Sequence, residues 1–221
     1  MSSFLVTGAN RGIGLEYCRQ LHTRGDQVIA VCRTASPELE DIGVRLEAGI
    51  ELTAEADLDD LLQRLSGQPL DAVILNAGIL ENNRLENFDS ESLLRQFEVN
   101  ALAPLRLVAA LLPNLQSGSK LALMTSRMGS IDDNSSGSSY GYRMSKVALN
   151  MAGRSLAIDL RPREIAVALL HPGLVRTRMI NFNPLGVSTE EAVRGLIERI
   201  DALSMETSGS FWHANGTLLP W

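Results

Sequence analysis

The chain predicts an α/β fold, a single parallel sheet wound on both faces by helices, and three observations lead there. Short apolar runs alternate with helical patterns along the whole length. Two of those runs, 72–75 and 121–124, are apolar without interruption, as strands covered on both faces are. The 221 residues, 45% hydrophobic and 21% charged, fill one domain with one sizeable core and leave no length for a second. The domain is therefore expected to span 1–221.

Taken in order, the first strand is expected at 4–7 and feeds a helix over 12–24 that opens on glycines. Strands follow at 28–32 and 44–52, and the proline-broken stretch between them has room only for a minimal helix or a loop. A helix at 57–65, a strand at 71–76, a long helix at 91–112 and a strand at 120–125 continue the alternation. A helix at 142–160, a strand at 165–170 and a helix at 189–203 complete it. The Ser/Gly/Asn-rich stretch 130–141, lying between a strand and a helix, reads as an active-site loop and not a linker.

Composition excludes several partners. With a net charge of −6 and no basic run or basic helical face, neither nucleic acid nor an anionic membrane is expected to bind. Cys18 and Cys32 are too few for a disulfide framework and read as buried thiols of a reducing cytoplasm. The N-terminus runs straight into a strand without the pattern of a signal peptide. The apolar stretch 101–113 holds Arg106 and two prolines and is too short to span a bilayer. His22, His171 and His213 stand apart without metal-ligand spacing, so no metal is expected.

Two motifs carry chemistry. In the turn Thr7-Gly-Ala-Asn-Arg-Gly-Ile-Gly14, Gly8 permits a tight strand-to-helix bend, Gly12 allows backbone to approach a pyrophosphate, and Gly14 lets helix and sheet pack closely. In Tyr142-Arg-Met-Ser-Lys146, a phenol and an ammonium four residues apart share one helical face. A cation about 4 Å from a phenol at an effective dielectric near 20 is worth roughly 4 kcal/mol, which would lower the tyrosine by about three pK units. Tyr140 has no such lysine and reads as a packing or rim residue.

Further motifs follow in sequence: Asn76-Ala77-Gly78 after the fourth strand, Asn100 in the next helix, Ser126 with Gly129, and Pro172-Gly173 with Thr177. The ordered set resembles the short-chain dehydrogenase/reductase family over nearly the whole chain. That resemblance implies a Rossmann-type fold with a cofactor-binding part mainly in 1–125 and a catalytic and substrate part mainly in 126–221.

It implies that Tyr142 is the acid/base, that Ser126 hydrogen-bonds the reacting oxygen, that Lys146 lowers the tyrosine pKa and holds the nicotinamide ribose, and that Asn100 anchors a water leading from Lys146 to solvent. It places the cofactor against Gly8, Asn10, Arg11, Gly12, Ile13 and Gly14, against Asn76, Ala77 and Gly78, and against Pro172, Gly173, Val175 and Thr177. Glu51-Leu52 stands where the family usually has an aspartate beside the adenine, so there the backbone contact is expected to persist while the side-chain contact shifts. His171, at a strand end, reads as a buried hydrogen-bonded residue.

Cys32 occupies the position where NAD-preferring relatives carry an acid, and Arg33 follows it. With Arg11, two guanidiniums are available for a 2′-phosphate, so NADP (NADPH) is the expected cofactor. The late pattern His-Pro-Gly-Leu-Val-Arg-Thr and the 209–221 segment resemble the C-factor-like subgroup, which leaves two classes: a carbonyl reductase, or a nucleotide-binding signalling protein with incidental turnover. An epimerase would need a substrate domain after the Tyr142 helix, and too little chain remains.

The 176–188 connection is expected to form a short lid whose Met179, Ile180, Phe182 and Leu185 cover an open pocket for apolar aldehydes, ketones or quinones. Arg176 and Arg178 offer a competing possibility, an acidic substrate. Leu105, Leu107, Val108, Val147, Leu149 and Met151 exceed what one sheet-facing stripe requires, so a homodimer is expected, with a tetramer as the alternative.

Overall fold

The computed structural model describes residues Met1–Trp221. Its strands are β1 (Ser3–Thr7), β2 (Gln27–Cys32), β3 (Arg45–Ala48), β4 (Leu70–Leu75), β5 (Leu115–Met124), β6 (Ala166–His171) and β7 (Ser210–His213). The helices are α1 (Gly12–Thr23), α2 (Pro37–Glu40), α3 (Glu55–Arg64), α4 (Ser90–Phe97), α5 (Ala103–Leu111), α6 (Tyr140–Asp159) and α7 (Thr189–Asp201). The strands form one sheet in the order β3-β2-β1-β4-β5-β6-β7, every pairing parallel. The chain winds outward from β1 to β3, then crosses back to β4 and winds the other way, so the strand order reverses between β1 and β4. A crevice at the carboxyl ends of those two strands is where such a sheet binds ligands.

Period-two alternation divides the apolar side chains between two cores. Phe4 and Val6 of β1 and Ile74 of β4 join Tyr17, Leu21, Val193 and Leu196 beneath α1 and α7. Leu5, Val73 and Leu75 turn to the opposite face and join Leu61, Leu107, Leu111 and Leu149 beneath α3, α5 and α6. Both faces are covered, which is why these strands read as continuous apolar runs.

Several boundaries differ from those read in the sequence. The third strand closes at Ala48, since Gly49 has φ +84° and turns the chain out of the sheet. The stretch between β2 and β3 is the four-residue α2, with Ser36 capping its N-terminus. The long 91–112 helix is interrupted by a π turn at Glu98–Leu102, in which Ala103 N–H reaches back to the Glu98 carbonyl. Pro104 follows that turn and has no N–H to offer the carbonyl four residues before it, that of Asn100. The seventh strand was not read from the sequence; β7 pairs with β6 in the register His171↔His213.

The apolar surplus attributed to subunit contact is redistributed. Leu107, Val108 and Leu149 are core residues, because the sheet takes a wider stripe of α5 and α6 than one row. Leu105 and Met151 do face outward, together with Leu94, Phe97, Met144 and Ile158. Cys18 and Cys32 are free, buried thiols. No helix is long and apolar enough to cross a membrane.

Candidate active site

The glycine turn is tied to the end of β4 by a compact set of bonds. Thr7 Oγ1 accepts from the amides of Asn76 (3.0 Å) and Ala77 (3.1 Å), and Asn76 Nδ2 donates to the carbonyls of Thr7 (3.0 Å) and Gly8 (3.3 Å). Gly8 adopts φ +64°, and a Cβ there would lie 2.9 Å from Ala77 Cα. A Cβ on Gly14 would lie 2.2 Å from the Gly8 carbonyl oxygen, so only glycine lets α1 start this close to the strand. The N-terminus of α1, with its unpaired amides, consequently opens into the crevice.

A cavity of about 650 Å³ occupies that crevice. Of the residues expected to meet a cofactor, Gly8, Asn10, Arg11, Gly12, Ile13, Arg33, Glu51, Leu52, Asn76, Ala77, Gly78 and Thr177 line it. Gly14 does not; it serves the helix–strand packing behind the turn. Pro172, Gly173, Val175, Asn100, Ser126, Tyr142 and Lys146 are also outside its lining. Ile79 and Val99 line the cavity and were not singled out from the sequence, although each adjoins a motif, the one following Gly78 and the other preceding Asn100.

Arg33 reaches Glu51 at 3.1 Å in an exposed ion pair, and Arg11 has no protein partner. The Glu51 carboxylate also receives the Thr53 hydroxyl at 3.1 Å, while its amide donates to Asp57 at 2.8 Å. The backbone contact expected at Glu51 is therefore already engaged within the protein.

Ser126 follows β5 and caps the short turn Arg127–Gly129 by accepting from Met128 N–H at 3.1 Å. The Ser-x-x-Gly spacing has a packing reason: a Cβ on Gly129 would stand 2.8 Å from the Lys146 backbone. The Gly129 carbonyl accepts from Asn150 Nδ2 at 3.0 Å, which fixes the turn against α6. Before α6, Ser138 and Ser139 both take the left-handed conformation, with φ 56° and 50°. Arg143 holds that bend by donating to the carbonyls of Gly137 and Ser138, both at 3.1 Å. Tyr140, partly buried, begins α6 and lies on the outer side of this loop.

Tyr142 and Lys146 share the inner face of α6 and are both buried. Their electrostatics differ from the sequence expectation. Lys146 Nζ lies 5.7 Å from the centre of the Tyr142 ring and donates to the Met124 carbonyl at 2.8 Å. Burial pushes the Tyr142 phenol up to about 12, with the Ser126 hydroxyl opposing the shift. Burial likewise lowers the Lys146 ammonium to about 8. Desolvation, omitted from the pairwise Coulomb argument, outweighs the attraction between the two groups.

The Asn100 side chain is fully bonded within the protein. Its Oδ1 accepts from Ile79 N–H at 2.8 Å, and its Nδ2 donates to the Ile79 carbonyl at 2.9 Å and to Ser145 Oγ at 3.0 Å. The side chain ties Ile79, just after the Asn76-Ala77-Gly78 segment, to Ser145 of α6. His171 is unlike the reading made of it: its Nδ1 is buried without a hydrogen-bond partner, and its ring meets His213 edge-on at 5.1 Å. Burial, then the neighbouring His213 and Arg127, lower it to about 3.

Comparison with known proteins agrees with this geometry. The short chain dehydrogenase family matches residues 3–184. A 1-hydroxy-2-glutathionyl-2-methyl-3-butene dehydrogenase of Rhodococcus sp. (strain AD45) is 42% identical, with both chains covered completely. The C-signal of Myxococcus xanthus is 44% identical over 69% of this chain and 93% of its own. Among solved structures, an NADPH-bound carbonyl reductase from chicken fatty liver superposes with a TM-score of 0.89 at 31% identity, covering 100% of this chain and 99% of that one. The seven-stranded parallel sheet, the glycine turn at its switch point and these likenesses lead to one conclusion: the chain belongs to the short chain dehydrogenase family and is an oxidoreductase of that fold.

Proposed function

We propose that the protein is an NADPH-dependent reductase of carbonyl groups in small to medium aldehydes, ketones or quinones. The observation that carries this reading is the buried phenol of Tyr142 on the same helical face as Lys146, with the Ser126 hydroxyl beside it. A phenol held near 12 stays protonated at neutral pH, the state required to give a proton to a carbonyl oxygen that gains negative charge.

The crevice fits a phosphorylated dinucleotide. Its floor includes Gly8, where an added Cβ would lie 2.9 Å from Ala77 Cα, α1 points its amides into it, and Arg11 offers a guanidinium without a protein partner. When bound there, NADPH would supply the reducing equivalent. The chain's own residues do the rest: Gly8 to Gly14 and Asn76 to Gly78 hold the dinucleotide, with Arg11 and Arg33 at the 2′-phosphate. Pro172, Gly173, Val175 and Thr177 hold its nicotinamide end. Ser126 donates a hydrogen bond to the substrate oxygen, Tyr142 gives it the proton, and Lys146 binds the nicotinamide ribose. Asn100 contributes through its backbone carbonyl, which holds a water serving Lys146.

The same residues run the couple in reverse, with Tyr142 taking the proton; the Rhodococcus relative is named for that direction. A purely signalling protein would not need the Ser126, Tyr142 and Lys146 set. We further assign the cofactor part to 1–125 and the catalytic part to 126–221, and a homodimer in the cytoplasm. The test is a purified-protein screen of aldehydes, ketones and quinones following NADPH absorbance, with Tyr142→Phe as control. Turnover is expected to fall by at least about a hundredfold while NADPH binding persists; a variant with near-parental rate would dismiss the assignment. A dead variant that still supports the cellular role would move the reading to signalling.

A further inference from the structure

We propose that Arg176 and Arg178 on the lid form a carboxylate-binding site, so that the favoured substrates are carbonyl compounds bearing an acidic group. This rests on the carbonyl-reductase reading above and narrows its substrate class.

The first argument is a census. All but four arginines donate to a carboxylate, a hydroxyl or a backbone carbonyl. The four are Arg11, Arg84, Arg176 and Arg178, and three of them line the crevice cavity. In a protein with net charge −6, unpaired guanidiniums are not a consequence of scarce carboxylates. The two acids lining the cavity are already matched, Glu16 to Arg19 and Glu51 to Arg33 at 3.1 Å. Among the lining side chains, positive charge exceeds negative before the phosphates of a dinucleotide are counted.

The second argument separates these two arginines from the cofactor. Phosphates have the N-terminus of α1 and the unpaired Arg11 without drawing on the lid. Thr177, between the two lid arginines, has extended backbone at φ −130°, ψ 167°, and its methyl group would stand 3.5 Å from a Cβ on Gly12. Side chains flanking an extended residue turn the other way. In agreement, the Arg176 stem passes 3.2 Å from a Cβ placed on Gly186, within the lid.

The third is preorganisation. Arg176 N–H donates to the Val187 carbonyl and Val187 N–H to the Leu174 carbonyl, both at 2.9 Å. The Thr177 carbonyl accepts from Ile180 (3.2 Å) and Phe182 (2.9 Å). Asn181 and Phe182 take the left-handed conformation, at φ 50° and 52°, which Asn adopts readily and Phe rarely. The hydrogen-bonded lid thus presents two guanidiniums beside the apolar Met179 and Phe182, which suits a compact apolar body with a carboxylate at one end.

The experiment compares 4-formylbenzoate with its methyl ester, which differ in charge and not in the reacting group. The full-length protein should show kcat/KM for the acid at least about tenfold above the ester, and Arg176→Ala/Arg178→Ala should abolish that preference without raising the Kd for NADPH. Arg178→Lys should keep part of it. Equal rates for acid and ester in the parent, a preference surviving in the double variant, or a parallel loss of both substrates with weakened NADPH binding would each overturn the proposal. Calorimetry with terephthalate and NADPH-loaded protein tests the site without turnover: saturable binding is expected in the parent and absent from the double variant. No binding in the parent would refute the anion site, whereas binding without reduction of either aldehyde would refute the reductase reading alone.

Discussion

Lys146 Nζ donates to the main-chain carbonyl of Met124 at 2.8 Å, so the ammonium of α6 is fastened to the last residue of β5. The cation is thus placed by the sheet, at 5.7 Å from the centre of the Tyr142 ring, and its own ionisation becomes the sensitive one. Burial brings it down to about 8, whereas Tyr142 stays protonated to about 12.

The pH dependence of activity follows. Below pH 8 Lys146 is charged and Tyr142 protonated; above it the ammonium is lost first. The reductive kcat/KM, which reports groups of the free enzyme, is expected to fall as pH rises through about 8. Lys146→Arg, with a guanidinium that does not titrate in this range, should lose activity overall but show no limb there. A parental profile level from pH 7 to about 10 would contradict the assignment.

Cofactor choice is open to a simple measurement. NADPH should bind at least about tenfold more tightly than NADH, and Arg11→Ala and Arg33→Asp should each reduce that ratio. Because Arg33 is shared with Glu51 at 3.1 Å, Glu51→Gln is expected to strengthen NADPH binding modestly. Fluorescence titration decides the matter; equal affinities for the two cofactors would remove the role given to these arginines.

His171 makes stability depend on acidity. The native imidazole takes up no proton until about pH 3, while the unfolded chain's does so near 6.5. Between those values the unfolded state binds more protons, so stability rises with pH; it is fully present above 6.5 and is lost on acidification toward 3. The contribution amounts to up to about 5 kcal/mol. Urea unfolding at pH 7 and pH 4 should therefore show a smaller difference for His171→Asn than for the parent, and an unchanged difference would discount the histidine.

Subunit contact is expected on the outer face of α4, α5 and α6. Met144, Met151 and Ile158 follow one another at seven-residue intervals along α6, and Leu94, Phe97 and Leu105 are also exposed. Light scattering at micromolar concentration should give a dimer, and Met151→Asp should shift it to monomer with an unchanged circular dichroism spectrum. A monomeric parent would refute the contact.

Much of this molecule is local chemistry and could be read directly. Strand-helix alternation, continuous apolar runs and the glycine spacing depend on near neighbours, so the sheet, the turn at Gly8–Gly14 and the shared face of Tyr142 and Lys146 were legible. The four-residue β7 has too short a pattern to announce itself; it exists because β6 offers it an edge in the register His171↔His213. Charge and partnership were decided by the tertiary structure. Whether Lys146 meets a phenol or the Met124 carbonyl, whether the Asn100 amide faces water or Ile79, and whether His171 Nδ1 finds a partner all depend on segments distant in sequence. So does the depth of burial, and in a low-dielectric interior desolvation exceeds the pair attraction that spacing alone suggests.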